Sequence, residues 1–260
     1  MSMYISRLGV AVSVILCAIG LAACGGGGGG GGGAPNAGAT AEGVYGGTLT
    51  GSTSSDFELL VLENGEFWSL YGTQTPTFFG VAGFVQGSGT SNNGTFTSSN
   101  TKDFGFTPAL AGNTNATYNA TAKTISGTVS GSSGTVGFSG GPIAGSLYDY
   151  NAPASLSTVV GLWSTTTLTG ESVAVNISAD GTFTAVSGLG CNFSGVITPR
   201  PSGKNVFNVS LTFGAAPCAL PNQPASGIAV TYPLASGPTQ LIVAVVDSAR
   251  TTGAATFGTR

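Results

Sequence analysis

The residues that could perform chemistry are few, and four of the ten acidic residues fall within one short segment. This segment is residues 56–66, and its acidic residues are Asp56, Glu58, Glu63 and Glu66. Two carboxyl groups at a suitable separation could hydrolyse a glycosidic bond, and several carboxylate oxygens together could bind Ca²⁺. The same pattern is typical of a hairpin tip that is kept soluble by charge, and we favour this interpretation.

Composition restricts the other catalytic chemistries. The chain of 260 residues contains no His, so a nucleophilic Ser would need a Lys as its base, and a His-ligated metal site is excluded. Tyr148 and Tyr150 could offer a phenolate to haem iron, although aromatic residues at a domain junction usually serve packing. We therefore expect a protein that is not an enzyme and has no catalytic residue, no metal site and no cofactor.

The charge content excludes a further class of function. Only 7% of the residues are charged, and the net charge is −3. Nucleic-acid binding requires clustered Lys and Arg to neutralise phosphates, so no nucleic-acid partner is expected. Hydrophobic residues make up 41% of the chain, including 14 Phe, which is enough to build a folded core.

The N-terminus carries a targeting pattern. Arg7 precedes an apolar stretch, residues 8–23, that is short for a transmembrane span and ends in small residues. This combination is typical of a secretory signal peptide. We therefore predict that residues 1–23 are a signal peptide.

The end of this segment is more specific. Residues 21–24, Leu-Ala-Ala-Cys, resemble the bacterial lipobox, in which the Cys receives a diacylglyceryl group and becomes the first residue of the mature chain. The resemblance implies lipidation of Cys24 and partnership with membrane lipid. The next residue is Gly25 and not Asp, which implies, by resemblance to Gram-negative lipoproteins, an outer-membrane anchor facing the periplasm or the cell surface.

Nine consecutive glycines follow Cys24. Because Gly loses the most backbone entropy on ordering, such a run does not build a core. We interpret residues 24–42 as the lipidated Cys and a flexible tether.

Two cysteines remain after the signal peptide and the lipidation site. Cys191 and Cys218 have one possible pairing, and an exported chain meets an oxidising compartment. A zinc site would need more ligands, and a redox pair would normally be closely spaced. A structural disulfide is therefore predicted.

The folded part reads as β throughout. Short runs rich in Val, Thr, Phe and Tyr alternate with turn residues, which predicts an all-β fold of two tandem antiparallel domains, residues 43–150 and 151–260. Asn64-Gly65 between two apolar runs predicts a two-residue hairpin turn with Glu63 opposite Glu66. Eight strands are predicted in the second domain, which suits a small up-and-down barrel: 161–169, 172–178, 181–187, 191–199, 204–214, 226–232, 239–247 and 253–259.

The two domains resemble each other along the sequence. Each opens with Gly, one apolar residue and an aromatic residue, Tyr45 in the first domain and Trp163 in the second. Gly-x-Trp resembles the start of lipocalin-like and avidin-like barrels, which implies that these two aromatic residues plug one barrel end. We interpret residues 148–156 as a docked connector with one helical turn after Pro153.

The first hairpin is apolar on both faces. Leu59 to Leu62 run together on one strand, and Trp68 and Leu70 share a face of the next. One face can fill the barrel, while the other must be covered by the second domain, a partner or lipid. We favour packing between the domains.

A lipobox, a polyglycine tether and two small β domains resemble, in layout only, the tethered surface lipoproteins of Gram-negative bacteria, such as the factor-H-binding type and transferrin-binding protein B. The resemblance implies a non-catalytic binding or surface-interaction role with an unknown protein, glycan or small-molecule partner. The alternative is a carrier that holds a small apolar ligand in the second barrel. The interior volume of that barrel distinguishes the two.

Overall fold

The computed structural model describes residues 39–74, 79–234 and 236–260. The predicted signal peptide, Cys24 and most of the predicted tether lie outside the described residues. Nine strands form the first part of the chain: β1 Gly43–Thr50, β2 Asp56–Val61, β3 Glu66–Gln74, β4 Phe79–Ser88, β5 Thr90–Asn92, β6 Thr95–Asp103, β7 Leu110–Asn119, β8 Thr124–Gly131 and β9 Gly134–Gly141. Eight strands form the second part: β10 Gly161–Thr167, β11 Ser172–Ile177, β12 Thr182–Ser187, β13 Asn192–Pro199, β14 Phe207–Phe213, β15 Pro224–Pro233, β16 Thr239–Asp247 and β17 Gly253–Thr259.

Both sets of strands close into antiparallel barrels. In the first barrel the order is β4-β3-β2-β1-β9-β8-β7-β6, and β4 closes on β6 through the pairs Val85–Asp103 and Gln86–Lys102. Strand β5 adds a short hairpin to β6. In the second barrel β10 to β17 follow one another, and β10 pairs with β17. The predicted all-β fold, with two tandem domains and an eight-stranded second barrel, is confirmed.

Side-chain alternation explains how the second barrel fills. Along β11 and β12 every second residue is buried, as expected for strands with one face inward. Large apolar side chains meet inside the barrel and pack against one another: Trp163, Val175, Ile177, Phe183, Ile197, Phe207, Val209, Leu211 and Leu241.

The two barrels share an apolar interface. The outward face of the first hairpin packs against the outer face of β15 to β17, which confirms domain packing as the role of these apolar residues. The cluster contains, among others, Leu60, Leu62, Trp68 and Phe84 from the first barrel and Ile228, Ala244, Val246 and Ala255 from the second. The carboxyl-rich hairpin tip is therefore part of an interface.

The predicted two-residue turn at Asn64-Gly65 is wrong. The Leu62 N–H donates to the Glu66 carbonyl at 2.8 Å, and Gly65 takes a φ of +80°, so the loop has three residues and Glu63 lies within it. Glu63 and Glu66 are consequently not a cross-strand pair. Arg200 from the second barrel lies 2.8 Å from a Glu63 oxygen and 3.7 Å from a Glu66 oxygen. The two acidic side chains are thus bridged by one guanidinium.

The connector between the barrels docks as predicted. A 3₁₀ turn spans Leu156–Thr158, and the Tyr148 hydroxyl donates to the Asn205 carbonyl. Tyr150 is buried in the interface, and burial raises the pKa of both phenols. Both aromatic residues therefore serve packing at the domain junction. Within the described residues, no helix is long and apolar enough to cross a membrane.

Candidate functional site

Tyr45 and Trp163 occupy equivalent places in the two barrels. Both side chains are fully buried, and each donates a hydrogen bond to the carbonyl four residues earlier. The Tyr45 hydroxyl lies 2.7 Å from the Ala41 oxygen, and the Trp163 Nε1 lies 2.6 Å from the Val159 oxygen. Each aromatic residue thus fixes the chain that enters its barrel.

In the second barrel, Arg260 packs over the ring of Trp163. Its guanidinium lies 4.1 Å from the centre of the Trp163 ring and donates to the carbonyls of Val160 and Thr158. Sequence analysis missed this residue. The available signal was that Arg260 is one of only seven basic residues and directly follows the last predicted strand.

The end of the predicted tether belongs to the folded part. The Ala39 carbonyl accepts a hydrogen bond from the Tyr118 hydroxyl at 2.6 Å, and Ala41 is fully buried. Glu42 pairs with Lys204 of the second barrel at 2.9 Å. Residues 39–42 therefore seal one end of the first barrel, which we call the plug end.

A cavity of about 340 Å³ lies inside the first barrel beyond this plug. Its opposite end, the mouth, is bordered by exposed residues of the loops 51–55 and 104–109 and by Ser133 between β8 and β9. Phe106 lines the mouth and is 47% exposed. A volume of this size is in the range of sites that hold small molecules.

The cavity has an apolar side and a polar side. Side chains from β1, β8 and β9 supply an apolar wall: Leu49, Ile125, Val129, Val136 and Phe138. Side chains from β3, β6 and β7 supply polar groups: Ser69, Tyr71, Thr101, Asp103 and Thr114. Thr101 is buried, and its hydroxyl lies 2.8 Å from that of Thr114. The space can therefore take an apolar body that carries a polar group.

The polar group nearest the mouth is a carboxylate with a fixed orientation. Asp103 Oδ1 accepts hydrogen bonds from the Tyr71 hydroxyl at 2.8 Å and from the Gly105 N–H at 2.9 Å. Burial, and then the charge of Asp103, raise the pKa of Tyr71 well above its ordinary value. The phenol is therefore a stable hydrogen-bond donor. Sequence analysis gave neither residue a binding role.

The predicted disulfide is present. Cys191 and Cys218 are bonded, and they join the connection before β13 to the connection between β14 and β15. Cys24 lies outside the described residues, so its lipidation stays a prediction.

The remaining acidic residues of the first hairpin do not converge. Within the residues that the structure describes, no group of three His, Cys, Asp or Glu side chains could hold a metal ion. Glu58 instead lines an apolar crevice of about 80 Å³ between the barrels, together with Tyr148 and Tyr232. Burial raises the pKa of its carboxyl.

Comparisons with known proteins add little. No protein-family profile matches this sequence, and no curated protein matches it. Among solved structures, the chain is similar to a protein of unknown function from the DUF3598 family of Nostoc punctiforme. The identity is 9%, the TM-score is 0.27, and the alignment covers 84% of this chain and 94% of that one. No function follows from a similarity of this degree.

Proposed function

We propose that this chain is an outer-membrane-anchored lipoprotein with a non-catalytic binding role, and that its first barrel holds a small ligand. The observation that carries the proposal is the cavity of about 340 Å³, which lies inside the first barrel and is bordered by loops at the mouth. Lipidation at Cys24 and export remain expectations from the sequence pattern.

The cavity that supports this proposal lies in a different barrel from the one in which the carrier hypothesis expected the ligand. That hypothesis placed an apolar ligand in the second barrel, where Trp163, Phe183 and Phe207 are buried in the packed interior. The cavity of about 340 Å³ lies instead in the first barrel. We therefore transfer the carrier role to the first barrel.

Native mass spectrometry of protein purified from its own host tests the proposal. A small molecule bound at one copy per chain is expected. Replacing Val129, which lines the cavity, with Phe should remove that mass because the new ring occupies the ligand space. Val186→Phe, on the exposed outer face of the second barrel, is the matched control and should retain it. A chain that never carries a small molecule, and that binds none of a panel of apolar compounds, would contradict the proposal.

A second candidate role rests on the outer wall of the first barrel. Five exposed hydroxyl side chains are in register across five neighbouring strands: Thr95, Thr117, Ser126, Ser139 and Thr48. Adjacent strands lie about 4.8 Å apart, so the row presents regularly spaced, uncharged hydrogen-bonding groups. This surface favours interaction with a polysaccharide.

Cosedimentation with insoluble polysaccharides tests this second role. Thr117→Lys, at the centre of the row, should reduce binding, whereas Thr184→Lys on the outer face of the second barrel should not. Equal binding by both variants would remove the row from consideration.

A further inference from the structure

The charge inside the first-barrel cavity indicates which ligands it can accept. Asp103 is the one charged side chain among the residues that line the cavity in the described part of the chain. It is the last residue of β6 and borders the loop 104–109 at the mouth. A carboxylate in this position repels an anionic head group and attracts a cation or a hydrogen-bond donor.

The carboxylate has an oxygen available for a ligand. Both hydrogen bonds to Asp103, from the Tyr71 hydroxyl and the Gly105 N–H, reach Oδ1. Across residues 39–74, 79–234 and 236–260, no hydrogen bond to Oδ2 is found. A carboxylate can accept up to about four hydrogen bonds. The arrangement therefore orients Asp103 without neutralising its charge.

The Tyr71 hydroxyl lies in space that is open because Gly83 and Gly105 have no side chains. A Cβ atom at Gly83 would lie 2.2 Å from the phenol oxygen, and one at Gly105 would lie 1.8 Å from it. The hydroxyl thus occupies space that any side chain at these positions would fill. Because this contact fixes the ring, Oδ1 stays engaged and Oδ2 is the oxygen left for a ligand.

The inner end of the cavity is apolar and suits the apolar body of a ligand whose cationic head lies at Asp103. Leu59, Phe67 and Phe96 line it toward the plug end. An ammonium group at Asp103 would stay near water at the mouth, so its desolvation cost would be small, whereas an apolar body would be buried deeper.

We propose that the first barrel selects small amphiphiles with a protonated amine head and an apolar body, and discriminates against carboxylates with the same body. This inference rests on the proposed function of the first barrel. Asp103 supplies the discrimination through a charge-assisted hydrogen bond from the amine to Oδ2.

Three compounds with one apolar body test the inference: n-octylamine, 1-octanol and octanoate. Binding is measured at pH 7 by titration calorimetry with the chain from residue 24 onward, carrying Cys24→Ser, which retains every described residue. Octylamine is expected to bind about tenfold more tightly than octanoate, because its ammonium group donates a charge-assisted hydrogen bond to Asp103 whereas the octanoate carboxylate is repelled.

Asp103→Asn isolates the charge. Asn keeps an oxygen that can accept from Tyr71 and Gly105, so the fold should be retained. The variant should lose about tenfold in octylamine affinity and leave octanol binding unchanged. Asp180→Asn, at a fully exposed turn of the second barrel, is the control and should bind all three compounds as the parent chain does.

The outcomes separate the inference from the function on which it rests. If none of the three compounds binds, both the ligand role of the first barrel and the inference fail. If octanoate binds as tightly as octylamine, or if Asp103→Asn leaves octylamine affinity unchanged, the inference is overturned while the cavity remains a ligand site.

Discussion

At the scale of single residues, Arg260 stabilises the second barrel through one aromatic ring. Its guanidinium covers the Trp163 ring at 4.1 Å and donates to two carbonyls of the entering chain. We expect Arg260→Ala to lower the free energy of unfolding by about 1 kcal/mol, because a solvent-exposed cation–π contact and the hydrogen bonds of the guanidinium are lost together. Urea denaturation followed by Trp fluorescence measures this. Arg260→Lys keeps the charge but lacks the planar guanidinium, so its stability should lie between those of the parent protein and Arg260→Ala. An unchanged urea midpoint in Arg260→Ala would contradict a stabilising role for Arg260.

Glu58 makes stability depend on pH. Burial in the crevice raises the pKa of its carboxyl above the unfolded value, so the folded protein binds this proton more tightly. The resulting stabilisation is fully present below the unfolded pKa and is lost as the pH rises through the folded pKa. Above the unfolded pKa, the titratable carboxyl of Glu58 therefore makes the folded state less stable than a neutral side chain of the same shape would.

Replacing the titratable carboxyl of Glu58 with an amide should stabilise the protein at neutral pH. We expect Glu58→Gln to raise the free energy of unfolding at pH 7 by on the order of 1 kcal/mol, and to have little effect at pH 4. Denaturation curves across this pH range provide the measurement. Glu171→Gln, outside the crevice, is the control, and a Glu58→Gln variant that is less stable at pH 7 would show that the carboxylate has a favourable partner.

At the scale of single residues, the features that could be predicted from the sequence were those that depend on residue type alone. The Cys191–Cys218 pairing was predictable because elimination left one partner for each thiol, and the burial of an apolar hairpin face followed from its composition. Tyr71 and Asp103 were not predictable because their meeting depends on the β3 and β6 registers and on two glycines that make room.

At the scale of elements, the disulfide limits the movement of two connections. The bond closes a loop across a sequence separation of 27 residues, which corresponds to about 3.5 kcal/mol of chain entropy in the unfolded state. Replacing Cys191 and Cys218 with Ser should lower the unfolding midpoint without changing the far-ultraviolet circular dichroism spectrum, because β13 to β15 keep their ladder pairings. Reduction of the parent protein should reproduce the shift. A double variant as stable as the parent would show that the bond is dispensable.

Strand prediction succeeded in the second barrel for a physical reason. Its strands alternate inward apolar and outward polar residues, and proline and turn residues separate them. The largest error was at β14, predicted from residue 204 but beginning at Phe207. The turn at Gly65 was misassigned because Asn-Gly suits both two-residue and three-residue loops, and only hydrogen bonding distinguishes them.

At the scale of the whole molecule, the two barrels share one architecture but differ in filling. Inward positions of the second barrel carry Phe183, Val209 and Leu211, whereas residues lining the first-barrel cavity include Gly112, Gly131 and Gly134. Small residues on several neighbouring strands leave the space that becomes the cavity. The sequence contains these glycines, but only the strand registers show which of them face inward.

The predicted tether enters the first barrel at the plug end, opposite the mouth of the cavity. Ala39, where the described chain begins, is bonded to Tyr118 at the plug end, and the mouth lies at the other end of the strands. Strands of eight to ten residues span about 25–30 Å, so a chain that is anchored at Cys24, as we propose, would enter the first barrel at its sealed end. The mouth is then the end farther from Ala39, where the proposed tether joins the barrel.

This arrangement depends on lipidation of Cys24, which cell fractionation tests. Cys24→Ala should move the protein from the membrane fraction to the soluble fraction, because burial of acyl chains contributes about 0.8 kcal/mol per methylene and no other anchor is proposed. Cys17→Ala is the matched control, since Cys17 would leave with the signal peptide and its loss should not change fractionation. Metabolic labelling with a palmitate analogue should mark the parent and the control but not Cys24→Ala. Full retention of unlabelled Cys24→Ala in the membrane fraction would mean that the folded barrels reach the membrane by another surface, and the sealed end would then have no assigned orientation.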